Sequence, residues 1–288
     1  MNLYMSNLTR SSITLVAGAF VLTTGAVLAL GQWPDYRIPG PRTLDGKIDL
    51  AAAPPKTHTG KPDFSGLWEP AVENAKPDHV SYNGLGPLPF EIPRADGDPP
   101  VGQFFNIGAG FKDGLPFTPW AAALHDERKG NHAKDNPDAH CLPMGLTQLH
   151  MHIQPRKVVQ TEREIVLLYE ANGNTRQILL DGRTLPKNAT PWWYGYSIAH
   201  WEGEAMVVET TGFRDDVWLD VDGSPLTSSG KITERWRRPK FGLMQTDLTI
   251  EDPTAYTRPF TVRVNHRLMP DTELMEFVCE ERDAIHYR

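Results

Sequence analysis

Positive charge is in short supply here: 29 lysines and arginines stand against 36 aspartates and glutamates, a formal charge of −7 over 288 residues. A phosphate backbone needs a basic surface, so nucleic acid is excluded as a partner. The notable basic run, Arg235, Arg237, Arg238 and Lys240, falls in a strand-like stretch and reads as a solvated strand end. Cofactor and nucleophile signatures are missing too. There is no Gly-x-Ser-x-Gly, no phosphate loop and no dinucleotide fingerprint. No cofactor is therefore expected, and hydride transfer and ATP chemistry are poor readings. His-Glu-x-x-His is absent, and no Cys/His cluster or internal repeat stands out.

Cysteine is scarcer still, with only Cys141 and Cys279. Neither sits in a nucleophile motif, and in an exported chain such a pair is expected to form a disulfide. Closing so long a loop is worth roughly 4–5 kcal/mol in the chain-entropy model. Export itself is read from the N-terminus. Met1 to Arg10 is polar, and an uncharged apolar run follows from Ile13 to Leu30. Ala29 and Gly31 fit a cleavage site before Gln32, so 1–31 is expected to be a signal peptide, with a retained anchor as the alternative. No cysteine follows the run, which argues against a lipoprotein. The membrane is a partner only through that segment, and the mature protein is expected in the periplasm or secreted.

What is abundant is proline, glycine and tryptophan: 25, 24 and 8 residues. Hydrophobic residues at 40% and charged residues at 23% allow a packed core. Residues 32–62 read as a proline-rich linker, and 63–288 as a single β-rich domain opening on Pro62 to Trp68. Residues 74–115 read as loops. Thr118–Lys129 has a helical pattern, with Pro119 in its first turn and Gly130 as its stop. From Gln160 the pattern turns to period two. It predicts strands at Glu164–Tyr169, Thr175–Leu180, Tyr194–Trp201, Ala205–Thr211, Lys231–Arg237, Leu243–Ile250, Phe260–Leu268 and Glu273–Cys279. Tight turns between them leave no room for crossover helices. The expected fold is mainly β: an antiparallel meander forming a curled sheet or lipocalin-like barrel, with one short helix.

A turn centred on Glu202-Gly203 would set Trp201 opposite Glu204, Ala199 opposite Met206 and Ser197 opposite Val208 on one face. The other face would carry His200, Tyr196 and Glu209. A carboxylate, a phenol and an imidazole in one strip can share proton transfer, so Glu209, Tyr196 and His200, with His152 as the alternative imidazole, are the candidate catalytic residues. The reading requires that strip to face a sheltered cavity. Trp192, Trp193 and Tyr194 crowd one strand entry and could stack on a ring, with Arg183 as polar anchor. Trp218 and Asp220 join them as candidate binding residues, because Glu209, Asp216 and Asp220 cluster near Trp218. Asp181 reads as a turn cap and Glu170 as a cross-strand partner of Arg176. His150 and His152 alternate and would point to one side of a strand, a metal half-site in search of further ligands; no metal is expected.

Longer segments carry a resemblance. Lys134 to Gly145, Lys157 to Thr161, Asp181-Gly182-Arg183 and Trp201-Glu202-Gly203 belong to it. So do Val207 to Phe213, Asp252 to Pro259 and Glu276 to Cys279. Together they resemble a large family of uncharacterised secreted proteins common in acidobacteria, sphingomonads and related bacteria. The resemblance implies export and a β-rich body, and carries no activity. Two departures stand out: Glu209 where the family more often has aspartate, and Leu149 to Ile153 where a proline- and aromatic-rich stretch is usual.

These readings lead to an acid–base enzyme of lyase or isomerase type, acting outside the cytoplasm on a small apolar or ring-containing molecule. The alternatives are a non-catalytic lipocalin-like binding protein and a glycoside-cleaving enzyme using a carboxylate pair.

Overall fold

The structure is a computed structural model that describes residues 36–279, apart from 74, 75, 77 and 82. The expected signal peptide lies outside the described residues. The chain divides into two units after Ile38, and the second, from Pro39 onward, carries every described strand and helix.

The body of this second unit is a closed nine-stranded barrel. The strands are β1 (Gly66–Pro70), β2 (Arg156–Gln160), β3 (Glu164–Tyr169), β4 (Thr175–Leu179), β5 (Tyr196–Glu202), β6 (Ala205–Thr211), β9 (Lys231–Lys240), β10 (Leu243–Glu251) and β11 (Phe260–Leu268). A short ribbon, β7 (Val217–Trp218) with β8 (Pro225–Leu226), stands apart. Around the barrel the order is β1-β11-β10-β9-β6-β5-β4-β3-β2, so β1 closes the cylinder between β2 and β11. Successive strand side chains point to opposite faces, and a barrel turns one face inward. In β9, Ile232, Glu234, Trp236 and Arg238 are buried while their neighbours are more exposed. Arg238 is thus no solvated strand end: its guanidinium covers the Trp68 ring at 4.7 Å.

The mainly β class and the helix are as read from the sequence, with α1 over Pro119–Gly130 and the Thr118 side chain capping it. Four details differ. The ladder is not antiparallel throughout: β4 pairs with β5 in parallel, Ile178 opposite Ser197 and Leu179 opposite Ile198. Loop 180–195 returns the chain to the starting end, and this forces the parallel pair. Second, the β5–β6 register is two residues off. Trp201 faces Met206, and the turn is Gly203-Glu204 with positive φ only at Gly203, as a type II′ turn requires. A two-residue slip leaves each side chain on its expected face. Third, Glu273–Cys279 pairs with no strand and runs as an extended tail. Fourth, residues 39–62 are packed rather than linker-like. Ile48 and Leu50 are buried, and the amides of Phe241 and Gly242 donate to the carbonyls of Ala52 and Leu50.

The barrel is filled by side chains. Near one end Phe64 stacks on Trp201 at 6.0 Å and meets Trp236 edge-on at 5.7 Å. Towards the other, Ile232, Leu248, Ile250, Phe260 and Val262 pack with Leu146 and Met151 of a second helix, α2 (Leu146–Met151). All six residues of α2 are buried. It is seated against the 217–220 segment: Thr147 donates to the Leu219 carbonyl, and Gln148 to those of Trp218 and Asp220. Gly145 begins this helix because a Cβ there would collide with the Trp218 carbonyl.

Cys141 and Cys279 form the disulfide, with Cα atoms 5.5 Å apart across 138 residues of chain. Such a bond persists outside the reducing cytoplasm, which places the folded chain there. No helix among the described residues is long and apolar enough to cross a membrane. Replacing both cysteines by serine is expected to lower stability by about 2–5 kcal/mol, because the unfolded chain regains loop entropy. Urea unfolding of the double variant checks this, and an unchanged midpoint would refute it.

Candidate functional site

The strip of Tyr196, Glu209 and His200 does share one face, but it is the outer one. The partners on the opposite face, Ser197, Ala199, Val208 and Thr210, are buried inside the barrel. His200 is open to solvent beside Glu202 at 3.4 Å. Glu209 is held by Lys231 at 2.5 Å, and the Tyr196 hydroxyl accepts from Arg183 at 3.0 Å. The face with Ser197, Ala199, Val208 and Thr210 turns inward instead, and its two hydroxyls meet the buried Arg176.

The remaining predicted residues scatter. Trp192 is exposed, 6.4 Å from Tyr196. Trp193 leans on the core under Arg214 at 4.7 Å, and Arg183 is spent on Asp181 and Tyr196. Trp218 is buried beneath Arg128 at 4.4 Å. Asp220 is a structural carboxylate that accepts from the amides of Ile107, Gly223 and Ser224 and from the Ser224 hydroxyl. It pins the 104–107 loop to the 220–224 turn. The acidic cluster behind the glycosidase reading is dispersed, since Asp216 pairs with Arg214 at the surface. His150 and His152 do not face one side of a strand: His150 lies in α2, and His152 caps its end against the Phe104 ring. Among the described residues no group of three or more His, Cys, Asp or Glu is placed to hold a metal.

The structure instead brings charge together in the barrel interior. Glu234 is fully buried. Its Oε2 accepts from His150 Nε2 and Trp236 Nε1, each at 2.9 Å, and its Oε1 accepts from Arg176. Arg176 also donates to Ser197 Oγ and Thr210 Oγ1, both at 3.0 Å, so it ties β4 to β5, β6 and β9. The expected Glu170–Arg176 pair does not form. The Tyr169 phenol abuts Arg176 closely enough to act on its charge, without closing a hydrogen bond of good geometry. Arg156 spans from β2 to the carbonyls of Leu149 and His150, each at 3.0 Å, and caps the end of α2. His266 donates from Nε2 to the His150 carbonyl at 3.0 Å.

This network fixes tautomers. A carboxylate and a carbonyl only accept, so Nε2 carries the proton in His150 and His266. Burial favours the neutral ring in both and lowers both pKa values below 6.5, outweighing Glu234 at His150. Each Nδ1 is then a lone pair, and neither has a partner among the described residues. Burial opposes the charge on Glu234 as well, but Arg176 and the hydrogen bond from His150 prevail and hold it well below the carboxylate range. Burial also raises Tyr169, so its phenol keeps its proton.

Sequence reasoning gave Arg156 and Tyr169 no role, read Arg176 only as a partner of Glu170, Glu234 only as one of several carboxylates at strand ends, and His266 only as a possible further metal ligand. The available signal was their phase: Glu234 and Arg176 sit at positions whose period-two neighbours are Ile232, Trp236 and Ile178.

The lowered histidines make a prediction. Their neutral forms stabilise the fold fully above the ordinary value of 6.5, and that stability is lost as pH falls through it towards the folded values. Glu234 has the same sign, lost below 4.5. Unfolding free energy should drop by up to about 2.7 kcal/mol per pH unit once both rings charge in the unfolded chain alone. His266→Gln should roughly halve that slope between about pH 6.5 and 5 in urea titrations. An unaltered slope would show that His266 is not held neutral.

No family model, curated protein or solved structure matches this chain.

Proposed function

We propose that the protein is an extracytoplasmic acid–base enzyme of lyase or isomerase type, working with its own side chains on a small, ring-containing molecule. Export to the periplasm or beyond is part of this reading, which the disulfide supports. The chemistry rests on one observation: His150 is held by Glu234 through Nε2 and presents an unpartnered Nδ1 to the barrel interior. A base oriented by a carboxylate is the arrangement general-base catalysis needs. His150 takes a proton from the substrate at Nδ1, and the imidazolium formed is stabilised by Glu234. Tyr169, protonated and beside Arg176, donates a proton to the leaving group or to the adjacent carbon. The tyrosinate is then stabilised by the guanidinium, and transfer back from His150 restores the resting state. The outer strip has no part in this scheme.

Access is at the β4–β5 seam. It is the barrel's parallel junction, with Arg176 clasping its inner side and Arg183 reaching Tyr196 on the outer. Amide hydrogen exchange should be faster in 175–179 and 196–199 than in the β9–β10 ladder. Equal protection would remove the seam as an entry.

The chemical test incubates the protein in deuterated water with ring-containing compounds bearing an acidic C–H and a leaving group. Deuterium uptake or elimination is read by mass spectrometry. His150→Gln is expected to slow conversion by about 10²-fold or more. Glu209→Gln and His200→Gln should leave it unchanged. Conversion that survives His150→Gln would defeat the assignment, and a ligand bound but recovered unaltered would favour the binding-protein reading.

A further inference from the structure

A second place remains unexplained by the buried network. The tail after β11 is drawn back by the disulfide and lies beside the turn that joins β3 to β4. Between them is a cleft of about 390 Å³, within the range of small-molecule sites. Leu168, Met275, Phe277 and Val278 give it apolar walls. Met275, Phe277 and Val278 are among the most exposed large apolar side chains of the described residues, at 51%, 41% and 65%.

Its charge is of one sign. Glu170 and Glu276 line the cleft, and among the described residues no lysine, arginine or histidine does. Glu276 is exposed, but Glu170 is 5% exposed. Its Oε1 has one long contact, from Gln154 at 3.5 Å, and its Oε2 has no partner. A buried carboxylate without a cation is costly, and nearly every buried polar atom in a folded protein is bonded. The missing complement is a positively charged donor.

We propose that this cleft binds a small organic cation, an ammonium group carried on an apolar body. The ammonium pairs with Glu170, with Glu276 adding attraction from the rim. The apolar body lies against Leu168 and Met275, and the Phe277 ring offers its face to the charge. The disulfide holds the tail wall in place. Tyr169 also lines the cleft, so the site adjoins the proposed proton donor, but Glu170 and Glu276 have no part in the His150–Glu234 chemistry.

The test is calorimetric titration of the whole protein with three isosteric probes at neutral pH and low salt: 2-phenylethylamine, 2-phenylethanol and 3-phenylpropanoate. The amine is expected to bind about tenfold or more tightly than the alcohol, and the acid not at all. Glu170→Gln should lose about tenfold in amine affinity, and added salt should weaken it. Phe277→Ala, at an exposed position, should weaken the amine several-fold and decides the matter if Glu170→Gln does not fold. His150→Gln should leave amine binding unchanged, which separates this site from the proposed chemistry. Equal binding of the three probes, or an amine affinity unmoved by Glu170→Gln and Phe277→Ala, overturns the proposal.

Discussion

The Glu234 carboxylate is the interaction on which the interior depends. A lone buried carboxylate would be protonated or would unfold its surroundings. Here five elements converge on it: Arg176 from β4, His150 from α2, Trp236 from the same strand, β9, and β5 and β6 through the hydroxyls that Arg176 also binds. Each partner is useful only if the others are in place. The network therefore sets how deep α2 enters and how closely the β4–β5 seam shuts. Buried ion pairs seldom add much net stability over well-packed apolar residues. Their retention at the centre of a filled barrel fits a requirement for a specific arrangement rather than for strength.

The same constraint accompanies a barrel whose described interior is filled by side chains. Trp68, Trp236 and Leu167 occupy its width, and a whole helical turn occupies its mouth. A preformed cleft is left at the margin, where the tail and the β3–β4 turn meet, whereas the proposed substrate reaches His150 only if the β4–β5 seam opens. Arg156 links these regions, because it holds the end of α2 from the strand next to β3. The disulfide acts at the same margin, since it returns the tail from β11 to the segment that precedes α2.

Much of the barrel was legible in the sequence. Period-two alternation marked β3, β6 and β11 to the residue, because one face of each is buried and the other is not. β1 and β2 were harder. They have only five residues each, and β1 begins at a glycine and ends at Pro70, both weak strand formers. Helix α2 was illegible for a different reason: all six of its residues are buried, so no amphipathic period exists to be read. Its two histidines looked like alternate positions of a strand.

The candidate site shows the division most clearly. Local pattern alone determined that Tyr196, His200 and Glu209 share a face, since alternation along a strand is a property of the backbone. It also pointed to the mainly β class, to a helix after Thr118 and to the paired cysteines, but left open whether the sheet closes. Which face turns inward was decided only by tertiary packing. Ser197, Ala199 and Thr210 are turned into the barrel, where the Ser197 and Thr210 hydroxyls accept from Arg176. The meeting of Glu234 with Arg176 and His150 was likewise a tertiary outcome. Those residues are 58 and 84 positions apart in the chain, and only barrel closure brings their charges within hydrogen-bond reach.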